Sequence, residues 1–196
     1  MEKYEIKEKY IGGKRENYLQ IEATYMVTAM TWAARSKDPS TQVGACFINE
    51  KGRIISVGYN GSPNKWDDNK FPWGKDSKEG DKNTKYPYVI HAEMNAIMNY
   101  GGALSDFDNS ILYVTLFPCS NCAKFLAQVG VKKVVYLSDK YNGTEDNECA
   151  KILFNKCGIE YVCFNDLNKR NLTSISFDLS TDNEKEQIKI KNYKNS

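Results

Sequence analysis

No stretch of the chain approaches the ~18 consecutive apolar residues of a transmembrane helix, and a mean hydropathy of −0.61 argues the same way. The opening Met1-Glu2-Lys3-Tyr4-Glu5 has no apolar core, so no secretory signal is expected. An excess of one charge is also missing. With 27 basic against 25 acidic residues the net charge is +2, too balanced for a dedicated nucleic-acid coat. There is no internal repeat and no low-complexity block. Six cysteines without an export signal predict a reducing compartment, here the cytoplasm, where thiols suggest metal binding or catalysis before disulfides. What is present is ordinary for a globular protein: 41% hydrophobic, 12% aromatic and 27% charged residues over 196 positions. That length predicts one domain, able to bury about 70% of its unfolded surface.

Residues 1–17 are charged, contain Gly12-Gly13 and read as a flexible arm. Tyr18 to about Arg35 has helical spacing in Tyr18, Ile21, Tyr25, Ala29, Trp32 and Ala33. Pro39 then biases Asp38 away from helix. Two β-rich runs, Val43 to Asn49 and Arg53 to Tyr59, flank Glu50-Lys51-Gly52 as a hairpin. Gly61 to Lys85 is polar, with Trp66, Phe71 and Trp73 among many charges; a span that long without elements is usually functional or loose. Helices are predicted at Ala92–Tyr100, Ser120–Gln128 and Glu145–Lys156, and strands at Ile111–Leu116, Lys133–Leu137 and Ile159–Phe164. Strands alternating with helices imply parallel pairing, helices on both faces and an α/β fold. The domain is expected to span 18–164. From residue 165 the pattern decays into a polar extension with no predicted element, expected to be partly disordered.

The single histidine begins His91-Ala92-Glu93, at a strand-to-helix junction, and Pro118-Cys119-Ser120-Asn121-Cys122 stands at another, 28 residues on from His91 to Cys119. Cys119 and Cys122, three apart in a first helical turn, present both sulfurs on one side. The helix N-terminus there favours the thiolates that zinc requires. One His and two Cys leave a fourth coordination position open, the pattern of a catalytic rather than a structural zinc. Water in that position would have its pKa lowered towards ~7. Glu93 is then placed to shuttle its proton to a ring nitrogen and a leaving amine. A redox Cys-x-x-Cys would not explain His-Ala-Glu. A closed structural site would need Cys46, Cys149, Cys157 or Cys163, all in element-forming runs where free cysteine is usually a small buried hydrophobe.

His-x-Glu followed by Pro-Cys-x-x-Cys is the signature of zinc deaminases acting on cytosine or adenine rings. The surroundings resemble the eukaryotic-type deoxycytidylate (dCMP) deaminases within that superfamily. The resemblance rests on Ser36-Lys37-Asp38-Pro39, Gln42-Val43-Gly44-Ala45, Gly58-Tyr59-Asn60-Gly61, Lys85-Tyr86-Pro87-Tyr88, His91 to Ala96, Leu116 to Cys119 and Ser138-Asp139-Lys140-Tyr141. It runs from about Tyr18 to Phe164. It implies a cytidine deaminase-like fold with a five-stranded mixed sheet. It also implies one catalytic Zn²⁺ on His91, Cys119 and Cys122, and conversion of dCMP to dUMP and ammonia for thymidylate synthesis. Activation by dCTP, inhibition by dTTP, Mg²⁺ accompanying the triphosphate, and a homohexamer or dimer are further implications. Some phage and bacterial relatives carry a second zinc near the insert; here residues 61–86 hold no Cys or His, so one zinc is expected.

The resemblance sets Asn60 against the substrate's sugar, with Ala92 also at the substrate. Ser138, Asp139, Lys140 and Tyr141 follow a strand's C-terminal end, where α/β sheets bind ligands, with Lys140 expected at the 5′-phosphate and Tyr141 by the base or sugar. Ser36 and Lys37 are a second phosphate candidate or simply solvated charges. The resemblance also associates Gly58, Tyr59, Asn60 and Gly61 with the effector. Asn60 is equally readable as a turn residue, since Asn-Gly is a strong turn signal. A deaminase acting on polynucleotide would need a basic groove with stacking aromatics. Here Asp67, Asp68, Asp76, Glu79 and Asp81 make the aromatic segment far from basic. A silent nucleotide-binding or zinc-structured scaffold would have no use for Glu93. No nucleic-acid or membrane partner is expected.

Overall fold

Alternation along the strands decides which side chains meet which layer. In the computed structural model, which describes residues 13–14, 18–167, 174–181 and 184–191, strand β1 (Gly44–Ile48) is buried at every position. Successive side chains of a strand point to opposite faces. Ala45 and Phe47 therefore enter one core cluster and Cys46 and Ile48 the other. Strands β2 (Ile54–Tyr59), β3 (Ile111–Leu116), β4 (Lys133–Ser138) and β5 (Glu160–Cys163) complete a five-stranded sheet in the order β2-β1-β3-β4-β5. β1 pairs antiparallel with β2 and β3, while β3, β4 and β5 run parallel, giving the mixed sheet and the α/β class expected.

Helix α1 (Ile21–Ala33) covers one face through Ala23, Tyr25, Met26 and Ala29. Its start differs from the sequence expectation: Tyr18 and Ile21 are exposed, and Met26, outside the predicted stripe, is wholly buried. Helices α2 (Ala92–Met98), α3 (Ser120–Gln128) and α4 (Glu145–Cys157) belong to the other face, contributing Ala92, Ala96, Ala123, Leu126, Ala150 and Phe154. Two glycines allow helices to lie directly on strands. A Cβ at Gly44 would sit 1.9 Å from the Ala29 carbonyl oxygen of α1, and one at Gly58 2.4 Å from that of Ala92 in α2.

The 61–85 insert takes its order from aromatic packing. Gly61 and Ile90 form an isolated antiparallel bridge at its base, with N–H···O distances of 3.0 and 2.9 Å. Phe71 is buried, Trp66 packs 5.1 Å from both Phe71 and Tyr88, and Trp73 packs 4.5 Å from Phe71. Beyond β5, where the sequence predicted no element, the backbone forms α5 (Phe164–Leu167) and an antiparallel pair, β6 (Ser174–Thr181) with β7 (Glu184–Lys191). The period-two spacing of Ile175, Phe177 and Leu179, and of Ile188 and Ile190, is the strand signal, diluted there by charged and polar neighbours. Nearly all of the 1–17 arm lies outside the described residues.

Candidate active site

Two helix N-termini meet beside the sheet, and each carries part of a metal-ligating trio. His91 is the N-cap of α2 and Cys119 the N-cap of α3, whose sulfur accepts from the Cys122 backbone N–H at 3.5 Å. The His91 Nδ1 lies 3.4 Å from the sulfurs of both Cys119 and Cys122. Around a tetrahedral zinc, with Zn–S about 2.3 Å and Zn–N about 2.0 Å, nitrogen and sulfur stand about 3.5 Å apart, so the donors fit that ion. Among the described residues this is the one His/Cys/Asp/Glu group so arranged. Cys46 lies in the opposite core, and Cys149, Cys157 and Cys163 do not join the trio.

The charges follow from this crowding. The Cys119 thiol is pulled down to about 4, first by its hydrogen bond with Cys122 and then by His91. The same bond pushes the Cys122 thiol upward, and burial adds to it. His91 is raised to about 9, chiefly by its hydrogen bond to Cys119. The surroundings thus favour the thiolate at Cys119 and the thiol at Cys122, and a divalent cation among the three donors would displace the Cys122 proton. Glu93, in the first turn of α2, is only 4% exposed, and burial raises its carboxyl pKa against the pull of His91. Gly58 holds this turn in place, because the Ala92 carbonyl sits on its bare Cα.

A cavity of about 390 Å³ opens onto the trio, within the ~300–1,000 Å³ typical of small-molecule sites. The structure brings His91, Ala92, Glu93, Cys119, Asn60 and Tyr141 to its wall. Asn60 is buried and committed: Oδ1 accepts from the Val43 N–H at 2.8 Å, and Nδ2 donates to the Thr41 carbonyl at 3.0 Å and to Asp38 at 3.3 Å. Asn60 lies between β2 and the Gly61 bridge and not in a turn, contrary to the turn reading; its side chain ties this segment to residues 38–43. Other predicted residues support the wall from outside. The Ser138 carbonyl accepts from the Phe117 N–H at 2.8 Å, and Asp139 accepts from Asn147 at 2.8 Å while pairing with Lys151. The Lys140 Nζ donates to Thr41 Oγ1 at 2.9 Å, and Ser36 Oγ to the Asn60 carbonyl at 2.7 Å. Neither reaches into the cavity.

Tyr59, Gly61 and Lys37 line a second cavity of about 210 Å³, with Lys65, Trp66 and Asp68. Gly58 lines neither of the two. Sequence reasoning missed Asp38 and Lys85, which form a buried ion pair at 2.5 Å on the wall of the first cavity. Both stood inside quoted motifs, but a contact between residues 47 apart leaves no local signal.

Residues 19–138 match the family described as the cytidine and deoxycytidylate deaminase zinc-binding region. The chain is 46% identical over 151 residues to the deoxycytidylate deaminase of Mus musculus, covering 77% of this chain and 83% of that one. It is 44% identical over 151 residues to that of Homo sapiens, with the same coverage. A solved structure of the dCMP deaminase from cyanophage S-TIM5, in complex with dCMP and dUMP, superposes with a TM-score of 0.57 at 27% identity, over 74% of this chain and 99% of that one. No helix among the described residues is long and apolar enough to cross a membrane.

Proposed function

From the premise that the chain belongs to the cytidine and deoxycytidylate deaminase zinc-binding family, we propose that it hydrolyses dCMP to dUMP and ammonia. The observation that carries this reading is the buried Glu93 standing beside the His91, Cys119 and Cys122 donors at the wall of a nucleotide-sized cavity. A structural metal site has no use for a buried carboxyl next to its open side.

Zinc held by His91 Nδ1 and the Cys119 and Cys122 sulfurs supplies a Lewis acid that makes water nucleophilic near neutral pH. The remaining work falls to the chain. Water adds at C4 of the cytosine ring, and the C4–N4 bond breaks to release ammonia. Glu93 as its carboxylate takes one proton from the water and gives it to ring N3, then takes the second from the C4 hydroxyl of the adduct and gives it to the departing N4. Burial raises its pKa and so suits it to hold each proton between transfers. Ala92, buried beside it, and Tyr141 border the base and sugar, and Asn60 borders the sugar.

Regulation by dCTP and dTTP, with Mg²⁺ on the triphosphate, belongs to the second cavity in this reading. Its support is a lining that combines Lys37 and Lys65 with Trp66, Tyr59 and the Asp68 carboxylate, giving cations for phosphate and aromatic surface for a base. Assembly as a hexamer or dimer is part of the same proposal, and light scattering on the purified protein decides between them. The central experiment measures ammonia release from dCMP by zinc-loaded protein, with and without dCTP–Mg²⁺, beside E93Q. Turnover lost in E93Q supports the reading, and dCTP-independent turnover would remove only the effector. No turnover of dCMP would overturn it.

A further inference from the structure

We propose that Lys85 holds the 5′-phosphate of the bound nucleotide and thereby sets the preference for nucleoside monophosphate over free nucleoside; the inference rests on the dCMP reading above. The lysines that the sequence offered for phosphate are engaged elsewhere. Lys37 pairs with Asp68 beside the second cavity. Lys140 spends its ammonium on Thr41 and on the face of Tyr141, 4.9 Å from the ring centroid. Lys85, by contrast, lines the first cavity, with its side chain only 7% exposed.

Asp38, the partner of Lys85, does not cancel it. The Asp38 carboxylate is 2% exposed and accepts from the Ser40 N–H at 2.8 Å, the Thr41 N–H at 3.3 Å and the Asn60 amide at 3.3 Å, as well as from Lys85. Its charge is spread over four donors. An ammonium has three N–H groups, and Asp38 takes one of those on Lys85, leaving the others for the cavity. Burying an ion pair contributes little to stability compared with apolar packing, so its position in the cavity wall calls for another use. The pair also holds the long lysine side chain in place before any ligand arrives, lowering the ordering cost of binding an anion.

Lys85 stands beside the residue proposed for the sugar, on the same cavity wall as Glu93. Nζ of Lys85 and Nδ2 of Asn60 bond the same oxygen of Asp38, at 2.5 and 3.3 Å, so the two groups are immediate neighbours. A base at Glu93 whose sugar passes Asn60 brings its 5′ substituent to Lys85. Lys75, exposed on the same rim, adds a second positive charge towards the opening.

The test compares kcat/KM for dCMP and for deoxycytidine in the zinc-loaded wild type, K85M and D38N. Losing a charge-assisted hydrogen bond predicts that K85M lowers the dCMP-to-deoxycytidine ratio by about 10- to 150-fold. D38N leaves the ammonium and keeps the ratio within about threefold, while both efficiencies fall together for want of the network. If K85M does not fold, K85Q is read in the same way. Parallel losses on both substrates in K85M, matching D38N, would make the pair a structural tie and overturn the inference while leaving the dCMP reading intact. A wild type without preference for dCMP, or silent on both substrates, would sink the dCMP reading itself and the inference with it.

Discussion

Lys37 and Asp38 are consecutive, yet they serve different cavities: Lys37 pairs with Asp68 beside the second, and Asp38 pairs with Lys85 in the wall of the first. The neighbouring segment repeats the pattern, with Asn60 on the first cavity and Tyr59 and Gly61 on the second. The two short segments thus separate the two cavities.

If the second cavity takes the effector, Lys37→Ala raises the dCTP concentration for half-activation by about tenfold, the scale of one lost charge contact to phosphate. The change in KM for dCMP is smaller. Steady-state rates over a dCTP titration check this, and equal changes in both constants would place Lys37 with the substrate instead.

Glu93→Gln keeps the size of the side chain and removes its acid–base function. A fall in kcat of about 10²- to 10⁴-fold is expected, with metal analysis still finding one zinc per chain. Cys119→Ser instead lowers the zinc content itself. Loss of zinc in E93Q would show that Glu93 is a ligand rather than a shuttle.

Gly58→Ala pushes a methyl group into the Ala92 carbonyl and the Ala96 backbone of α2, where the approach would be 2.4 and 2.5 Å. Backbone cannot rotate away as a side chain can. Overpacking of this kind costs about 1–3 kcal/mol, seen as a lower urea midpoint. Because α2 carries Glu93, kcat falls as well, more than the stability loss alone explains.

Burial pushes Cys46 from an ordinary 9.0 to about 12 and, as the leading cause, Tyr113 from 10.0 to about 12. The fold therefore favours the protonated forms. This stability is fully present below pH 9 and is lost as pH rises from there to about 12. Each group contributes a slope of up to about 1.4 kcal/mol per pH unit within its window. Urea unfolding between pH 8.5 and 10.5 measures the decline, and Cys46→Ala flattens its first part.

The sheet and its helices were legible because burial leaves a periodic trace. Ile111–Leu116 and Ser120–Gln128 lie where the apolar runs predict them, to the residue. The metal trio was legible because the chemistry needs fixed residue types at short spacing, and both halves stand at helix starts. Asp38 with Lys85 was not, since an ion pair across 47 positions is created by the fold. Nor did the sequence show that Lys140 would turn to Thr41, 99 positions away. The β6–β7 pair was missed for a different reason: its apolar alternation sits in a charged background and was read as solvated chain.

The bridge between Gly61 and Ile90 ties together the two ends of the insert. Asn60 and His91, the residues just outside it, are thereby kept as neighbours whatever the length of chain between them. The insert is in effect a graft point. A change in its length leaves those two ends in place, while Lys75 and Lys85 within it line the first cavity and Lys65, Trp66 and Asp68 the second.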